Sequence, residues 1–317
     1  MSNKLRIVFM GTPDFAVATL KDILKAGYEV VGVITAPDRP AGRGRKLQQS
    51  AVKTFALENN LKVLQPTNLK DDEFLKELKA LNANLQVVVA FRMLPEMVWK
   101  MPPLGTFNLH ASLLPDYRGA APINWAIING ETKTGVTTFF IDEKIDTGAV
   151  ILQEAVAIEK TESAGSLHDK LMELGAKVVV KTLQKIETNT ATTTVQPKEK
   201  DLKTAYKLNK ENTKIDWNQD TDSIYNLIRG LSPYPTAWSY LKNAENDPVN
   251  VKFYEVEKDV KPHKRAPGAI IVENSKVLVA TINGFIILKE IQLPGKKKMP
   301  IKDILNGYTF DENAKML

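Results

Sequence analysis

Asn108 and His110 stand two residues apart in Thr106-Phe107-Asn108-Leu109-His110, a short strand-like run that leads into Ala111-Ser112-Leu113-Leu114-Pro115. Side chains alternate faces along a strand, so an amide and an imidazole at this spacing project together. Asp146, in Ile145-Asp146-Thr147-Gly148, adds a carboxylate. An amide donor, an imidazole and a carboxylate can move protons and hold negative charge developing on a carbonyl oxygen. Alone, Asp146 reads as a turn aspartate before glycine; with Asn108 and His110 it favours catalysis. The other two histidines, His168 in a helical pattern and His263 in the charged loop 261–265, read as surface residues. Three histidines so dispersed form no convincing metal site. Ser112 has no second histidine nearby in sequence, which disfavours a serine nucleophile.

Residues 5–11 read as a buried strand, 14–26 as a helix closed by Gly27, and 29–35 as a second strand. Residues 50–59 and 74–81 read as helices, the first with Ser50 as its N-cap. Residues 85–90 and 106–109 are strong strands, 122–129 a helix, 135–141 a strand and 165–187 a long amphipathic helix. This alternation predicts an α/β fold with a doubly wound, mostly parallel, Rossmann-like sheet covered on both faces. Ligands bind such sheets beyond the carboxyl ends of the strands, where Asn108, His110 and the Ala90-Phe91 end fall. The threonine-rich stretch 188–202 has no hydrophobic period and reads as a linker. Residues 203–317 show a helix near 219–229 and short strands at 238–241, 249–256, 268–272, 276–281 and 285–291, which suits a small OB-like β-barrel. The expected domains are therefore 1–187 and 203–317.

The 317-residue chain is 43% hydrophobic and 25% charged, ordinary for a soluble globular protein. The absence of cysteine excludes disulfides, thiolate metal sites, iron–sulfur clusters and cysteine nucleophiles. No apolar run is long enough to span a bilayer and the start lacks a signal region, so a cytoplasmic protein without membrane contact is expected. Net charge is +6. Residues 203–317 carry 18 Lys and Arg against 14 Asp and Glu, while the longer first part carries 25 against 23. That excess suits an anionic partner such as RNA, and equally a surface made basic for solubility.

Two basic segments stand out. Asp38-Arg39-Pro40-Ala41-Gly42-Arg43-Gly44-Arg45-Lys46 reads as a flexible loop able to drape along a phosphate backbone, or as a solvated loop. Lys296-Lys297-Lys298 reads as a phosphate contact or an exposed basic turn. Gly11-Thr12-Pro13-Asp14 lacks the G-x-G-x-x-G dinucleotide fingerprint and reads as a tight turn into a helix.

Taken together, Gly11-Thr12-Pro13-Asp14-Phe15-Ala16, the basic loop, Asn108 to Pro115, Tyr117-Arg118-Gly119-Ala120-Ala121-Pro122-Ile123 and Asp146-Thr147-Gly148 resemble the 10-formyltetrahydrofolate-dependent formyltransferases, in particular their methionyl-tRNA branch. Ile215-Asp216-Trp217, Ile228-Arg229 and Pro233-Tyr234-Pro235 extend the likeness nearly end to end. The resemblance implies transfer of a formyl group from 10-formyltetrahydrofolate to the α-amine of initiator methionyl-tRNA, giving N-formylmethionyl-tRNA for translation initiation, with no metal. It implies catalytic roles for Asn108, His110 and Asp146. Folate contacts fall on Ser112, Leu113, Leu114 and Pro115, with Phe91, Met93 and Leu94 beside them. tRNA contacts fall on Arg39, Arg43, Arg45, Lys46, Lys296, Lys297 and Lys298. A monomer is expected. Arg92 stands where the family commonly has glycine after an aromatic, and Ala149 where it commonly has an acid.

A formyltransferase for a small amine would need neither the basic loop nor a basic barrel. An inactive RNA-binding module would not need Asn108, His110 and Asp146, and a nicotinamide oxidoreductase would carry the glycine fingerprint.

Overall fold

Continuous apolar runs such as Ile7-Val8-Phe9-Met10 and Val87-Val88-Val89 have no polar face, so they are stable only where both faces of a sheet are covered. A computed structural model describes residues 4–41, 46–197, 201–244 and 247–317 and places them so. Chain contacts define two compact units. The first comprises Met1–Gly119, Thr134–Val156 and His168–Lys203; the second comprises Ala120–Lys133, Ala157–Leu167 and Thr204–Leu317.

In the first unit, β1 (Arg6–Gly11) is followed by helix α1 (Asp14–Lys25) and β2 (Glu29–Ile34). A hairpin of β3 (Arg39–Ala41) and β4 (Lys46–Gln48) precedes α2 (Ala51–Glu58), β5 (Val63–Leu64), α3 (Asp72–Ala80), β6 (Leu85–Val89), the short α4 (Glu96–Trp99) and β7 (Thr106–His110). The two-residue β8 (Arg118–Gly119) comes next, then β9 (Lys133–Phe140), β10 (Val150–Ala157) and α6 (Ala164–Glu187), whose first residues belong to the second unit, as does all of the intervening α5 (Pro122–Ile128). The main sheet has the order β10-β9-β7-β6-β1-β2-β5. Pairing is parallel from β7 through β6, β1 and β2 to β5, and β9 runs antiparallel to β7.

Local chemistry sets these boundaries. The Ser50 side chain accepts from Lys53 N–H and caps α2 as expected. α3 starts two residues earlier than its apolar period suggests, because the Asp71 carboxylate accepts from Phe74 N–H at 3.0 Å. Strand β10 has no counterpart in the sequence reading; its alternating half-exposed pattern lacks a continuous apolar run. The expected flexible loop 38–46 instead has a paired stem, with Arg39 opposite Gln48 and Pro40 opposite Leu47. On the far face of the sheet, Gly175 of α6 sits against Leu109, where a Cβ would come within 2.8 Å of the leucine.

The second unit holds β11 (Thr204–Ala205) and α7 (Thr221–Leu231), then β12 (Ala237–Lys242), β13 (Val249–Asp259), β14 (Ile270–Glu273), β15 (Lys276–Ala280), β16 (Phe285–Gln292), β17 (Met299–Pro300), α8 (Ile301–Leu305) and β18 (Lys315–Met316). Its sheet runs β14-β15-β16-β13-β12-β18, with β17 paired to β16. Ile270 N–H bonds Ala314 O at 3.1 Å and Met316 N–H bonds Gly268 O at 2.9 Å, which brings the two ends together into a nearly closed antiparallel barrel. Ile224, Ile228 and Leu231 of α7 enter a core with Val251, Phe253 and Ile286. Closure needs a glycine at 268: φ is +82° and a Cβ would lie 2.3 Å from Met316 O. Gly268→Ala is expected to lower stability by about 1–3 kcal/mol in denaturant unfolding; an unchanged midpoint would show that closure is not constrained there.

Candidate active site

Strand alternation on β7 leaves Asn108 half-buried between buried Phe107 and Leu109. Among the described residues no hydrogen bond engages the Asn108 side chain, so its amide is uncommitted. His110, two residues on, is 7% exposed. Its Nε2 lies 2.8 Å from the carbonyl oxygen of Tyr117. A carbonyl only accepts, so Nε2 carries a hydrogen and donates. Nδ1 is therefore the ring nitrogen left free of the backbone. Nδ1 faces Asp146 Oδ2 at 3.7 Å, an ion-pair separation when the ring is charged but longer than a hydrogen bond. Neither group's proton is committed to the other.

Asp146 lies on the turn after β9, in the left-handed region at φ 56°. Its Oδ2 accepts from Gly119 N–H at 3.0 Å. Its carbonyl oxygen accepts from Arg118 Nε and Gln196 Nε2, both at 3.0 Å. At Gly148 a side chain is excluded, since a Cβ would fall 1.6 Å from Phe140 O. Asn108 and His110 thus share a face at the carboxyl end of β7, and Asp146, 36 positions along the chain from His110, is brought against it.

A buried hydroxyl ties the loop between β7 and β8 to β9. Thr137 Oγ1, fully buried, donates to Ser112 O at 2.6 Å and accepts from Leu114 N–H at 3.2 Å and Gln153 Nε2 at 2.9 Å. Ser112 is buried and its hydroxyl donates to Asp116 O at 2.7 Å, so that side chain is used within the loop. Leu114 is buried, while Leu113 and Pro115 are half-buried. After β6, Ala90 adopts φ 48°; Phe91 is half-buried, Met93 exposed and Leu94 buried. Arg92 donates to the carbonyls of Pro66 and Thr67 and lies 5.7 Å over the Phe91 ring, tying the loop after β6 to the segment after β5. Burial lowers the Arg92 pKa from the ordinary arginine value, and nearby Arg39 adds to the shift.

The expected tRNA contacts divide between the units. Arg39 is exposed on the hairpin stem, whose base is anchored by Asp38 accepting from Lys53 Nζ at 2.6 Å and Gln65 Nε2 at 2.8 Å. Gln65, then Lys53, hold the Asp38 carboxyl below its usual range. Arg43, Arg45 and the Lys46 side chain lie outside the described residues. In the second unit, Lys296 and Lys297 are exposed on the turn between β16 and β17. Lys298 instead pairs with Glu290 at 2.7 Å and covers the Tyr254 ring. Among the described residues no cluster of His, Asp or Glu could hold a metal ion, and no helix is long and apolar enough to cross a membrane.

Arg118 and Gln196 were not among the expected site residues. Arg118 sits in the quoted motif, but Gln196 falls in the stretch read as a linker. There Val150 and Thr194 exchange backbone bonds at 2.8 and 2.9 Å, so this part of the stretch is docked.

Residues 5–183 match the formyl transferase family model and residues 207–309 that of the formyl transferase C-terminal domain. A protein of Flavobacterium johnsoniae named methionyl-tRNA formyltransferase is 63% identical over 99% of both chains. One of the same name from Bacteroides fragilis is 52% identical over 98% of both. Among solved structures, the sugar 3N-formyl transferase WlaRD shares the fold at TM-score 0.64 and 22% identity, over 93% of this chain and 100% of that one. HypX from Aquifex aeolicus, solved with tetrahydrofolic acid, gives TM-score 0.64 and 19% identity over 98% of this chain and 49% of that one. The chain belongs to the formyl transferase family.

Thr137→Val removes the acceptor for Leu114 N–H and the donor to Ser112 O while keeping side-chain shape. It is expected to cost about 1–3 kcal/mol, read as a lower midpoint in thermal or denaturant unfolding; an unchanged midpoint would mean that the loop does not depend on this hydroxyl.

Proposed function

We propose that this protein transfers the formyl group of 10-formyltetrahydrofolate to the α-amine of initiator methionyl-tRNA, with Asn108, His110 and Asp146 as the catalytic residues. The observation that carries the assignment of roles is the approach of His110 Nδ1 to the Asp146 carboxylate beside an uncommitted asparagine amide. The relatives named above support the choice of substrates.

The new bond forms between the amine nitrogen and the formyl carbon, and the bond from that carbon to folate N10 breaks. The amine sheds one proton and N10 gains one. Asn108 donates an amide N–H to the formyl oxygen as negative charge develops there. His110, with Nε2–H spent on Tyr117 O, acts as the imidazolium through Nδ1–H, donating that proton to the leaving nitrogen and regaining it from Asp146 after the amine has shed its own. Asp146 takes the proton that the amine sheds. Leu113, Pro115, Phe91, Met93 and Leu94, with the Ser112–Leu114 backbone, form the folate wall in this reading.

Residues 1–187 act as the catalytic domain and 203–317 as a tRNA-binding domain. Arg39, Arg43, Arg45 and Lys46 contact the tRNA backbone, together with Lys296, Lys297 and Lys298. Of the last three, Lys298 contributes least, because Glu290 already neutralises it. The enzyme is read as a cytoplasmic monomer, acting where its aminoacylated substrate is made.

His110→Ala and Asp146→Asn are each expected to lower kcat about a hundredfold or more, with tRNA affinity unchanged, in single-turnover formylation at saturating substrates. Wild-type rates would remove both residues from the mechanism. Arg39→Ala is expected to weaken tRNA binding and flatten its salt dependence by about one charge; an unaltered salt slope would place this arginine off the tRNA.

A further inference from the structure

The Asp146 turn is built from a distance. Gln196, 6% exposed, donates through Nε2 to the carbonyl oxygens of Asp146 at 3.0 Å and Gly148 at 2.8 Å. Its Oε1 accepts from Arg118 Nη2 at 2.6 Å and Nε at 3.2 Å. Arg118 Nε also reaches Asp146 O at 3.0 Å. The two carbonyls require donors and the guanidinium requires an acceptor, so only one orientation of the amide serves both sides. The Val150–Thr194 bridge holds the segment carrying Gln196 two residues upstream. Neither the Gln196 amide nor these Arg118 bonds touches the Asp146 carboxylate or His110. Both act on the backbone of a residue whose φ of 56° is unfavourable for aspartate and whose side chain must reach Gly119 N–H and His110 together.

We propose that Gln196 is a positioning residue which, with Arg118, clamps the 146–148 backbone so that the Asp146 carboxylate is held against His110 Nδ1. The inference rests on the catalytic reading of Asp146 above. A relaxed turn leaves substrates bound while the carboxylate wanders, and a displacement of about 1 Å at a reacting group can cost on the order of a hundredfold in rate. The loss therefore falls on kcat and not on KM.

The test is a double-mutant cycle in the full-length enzyme, with formylation of methionyl-tRNA followed at varied concentrations of both substrates. Gln196→Met keeps volume and removes the amide. It is expected to lower kcat about 10–100-fold with KM within about threefold. In an Asp146→Asn background the same change should cost less than about threefold, because the carboxylate it positions is gone. Val195→Ala, at a neighbour 81% exposed, is the control. Wild-type kcat in Gln196→Met, or an equal loss in both backgrounds, overturns the proposal. If Gln196→Met does not fold, Arg118→Lys, which keeps the charge and gives up the paired N–H bonds, is judged by the same two outcomes. A wild-type rate in Asp146→Asn alone would instead overturn the catalytic reading; a slow Asp146→Asn beside a fast Gln196→Met overturns only the clamp.

Discussion

Asp146 occupies a left-handed backbone conformation that costs a non-glycine residue about 1–3 kcal/mol. From that conformation Oδ2 takes the Gly119 N–H while facing His110 Nδ1, and the carbonyl turns the other way to receive Arg118 and Gln196. The remaining features of the site follow from this constraint. Gly148 must lack a side chain because the turn presses on Phe140 O. The chain after α6 must return to the start of β10 to bring Gln196 into place.

His110 is constrained from the opposite side. Tyr117, itself at φ 60°, points its carbonyl at Nε2, so the backbone that follows β7 selects the tautomer. Thr137 then ties that same loop to β9 through Ser112 and Leu114. The sheet thus supplies Asn108 and His110 by alternation, and two loops, each pinned by side chains from elsewhere, decide which imidazole nitrogen is taken by the backbone and what the other one meets. Preorganisation of this kind is what lets a few polar groups stabilise charge without reorganising as it develops.

How far the chain could be read in advance depended on the range of each interaction. Period-two alternation exposed Asn108 and His110 as a pair, and apolar runs in β1, β6 and β7 revealed the parallel sheet, because these signals are local. Ser50 as a cap was legible for the same reason. Asp146 alone was legible only as a turn aspartate before glycine; set beside Asn108 and His110 it favoured catalysis, a grouping that the resemblance also implied. Gln196 was not legible: it lies among threonines with no hydrophobic period, and its partners are 48, 50 and 78 positions away. Lys298 looked as available as Lys296 until the pairing of β16 with β17 set Glu290 beside it. Strand β10 was missed because an edge strand with half-exposed residues carries no continuous apolar signal.

The most direct measurement is ¹⁵N-detected NMR of the histidine side chains across a pH titration, feasible because the chain has only three, with His110→Ala to assign the signal. His110 is expected to keep a protonated, hydrogen-bonded Nε2 throughout, with the Nδ1 signal altered in Asp146→Asn. A neutral Nδ1–H tautomer with Nε2 as the titrating nitrogen, or an Nδ1 response indifferent to residue 146, would contradict it.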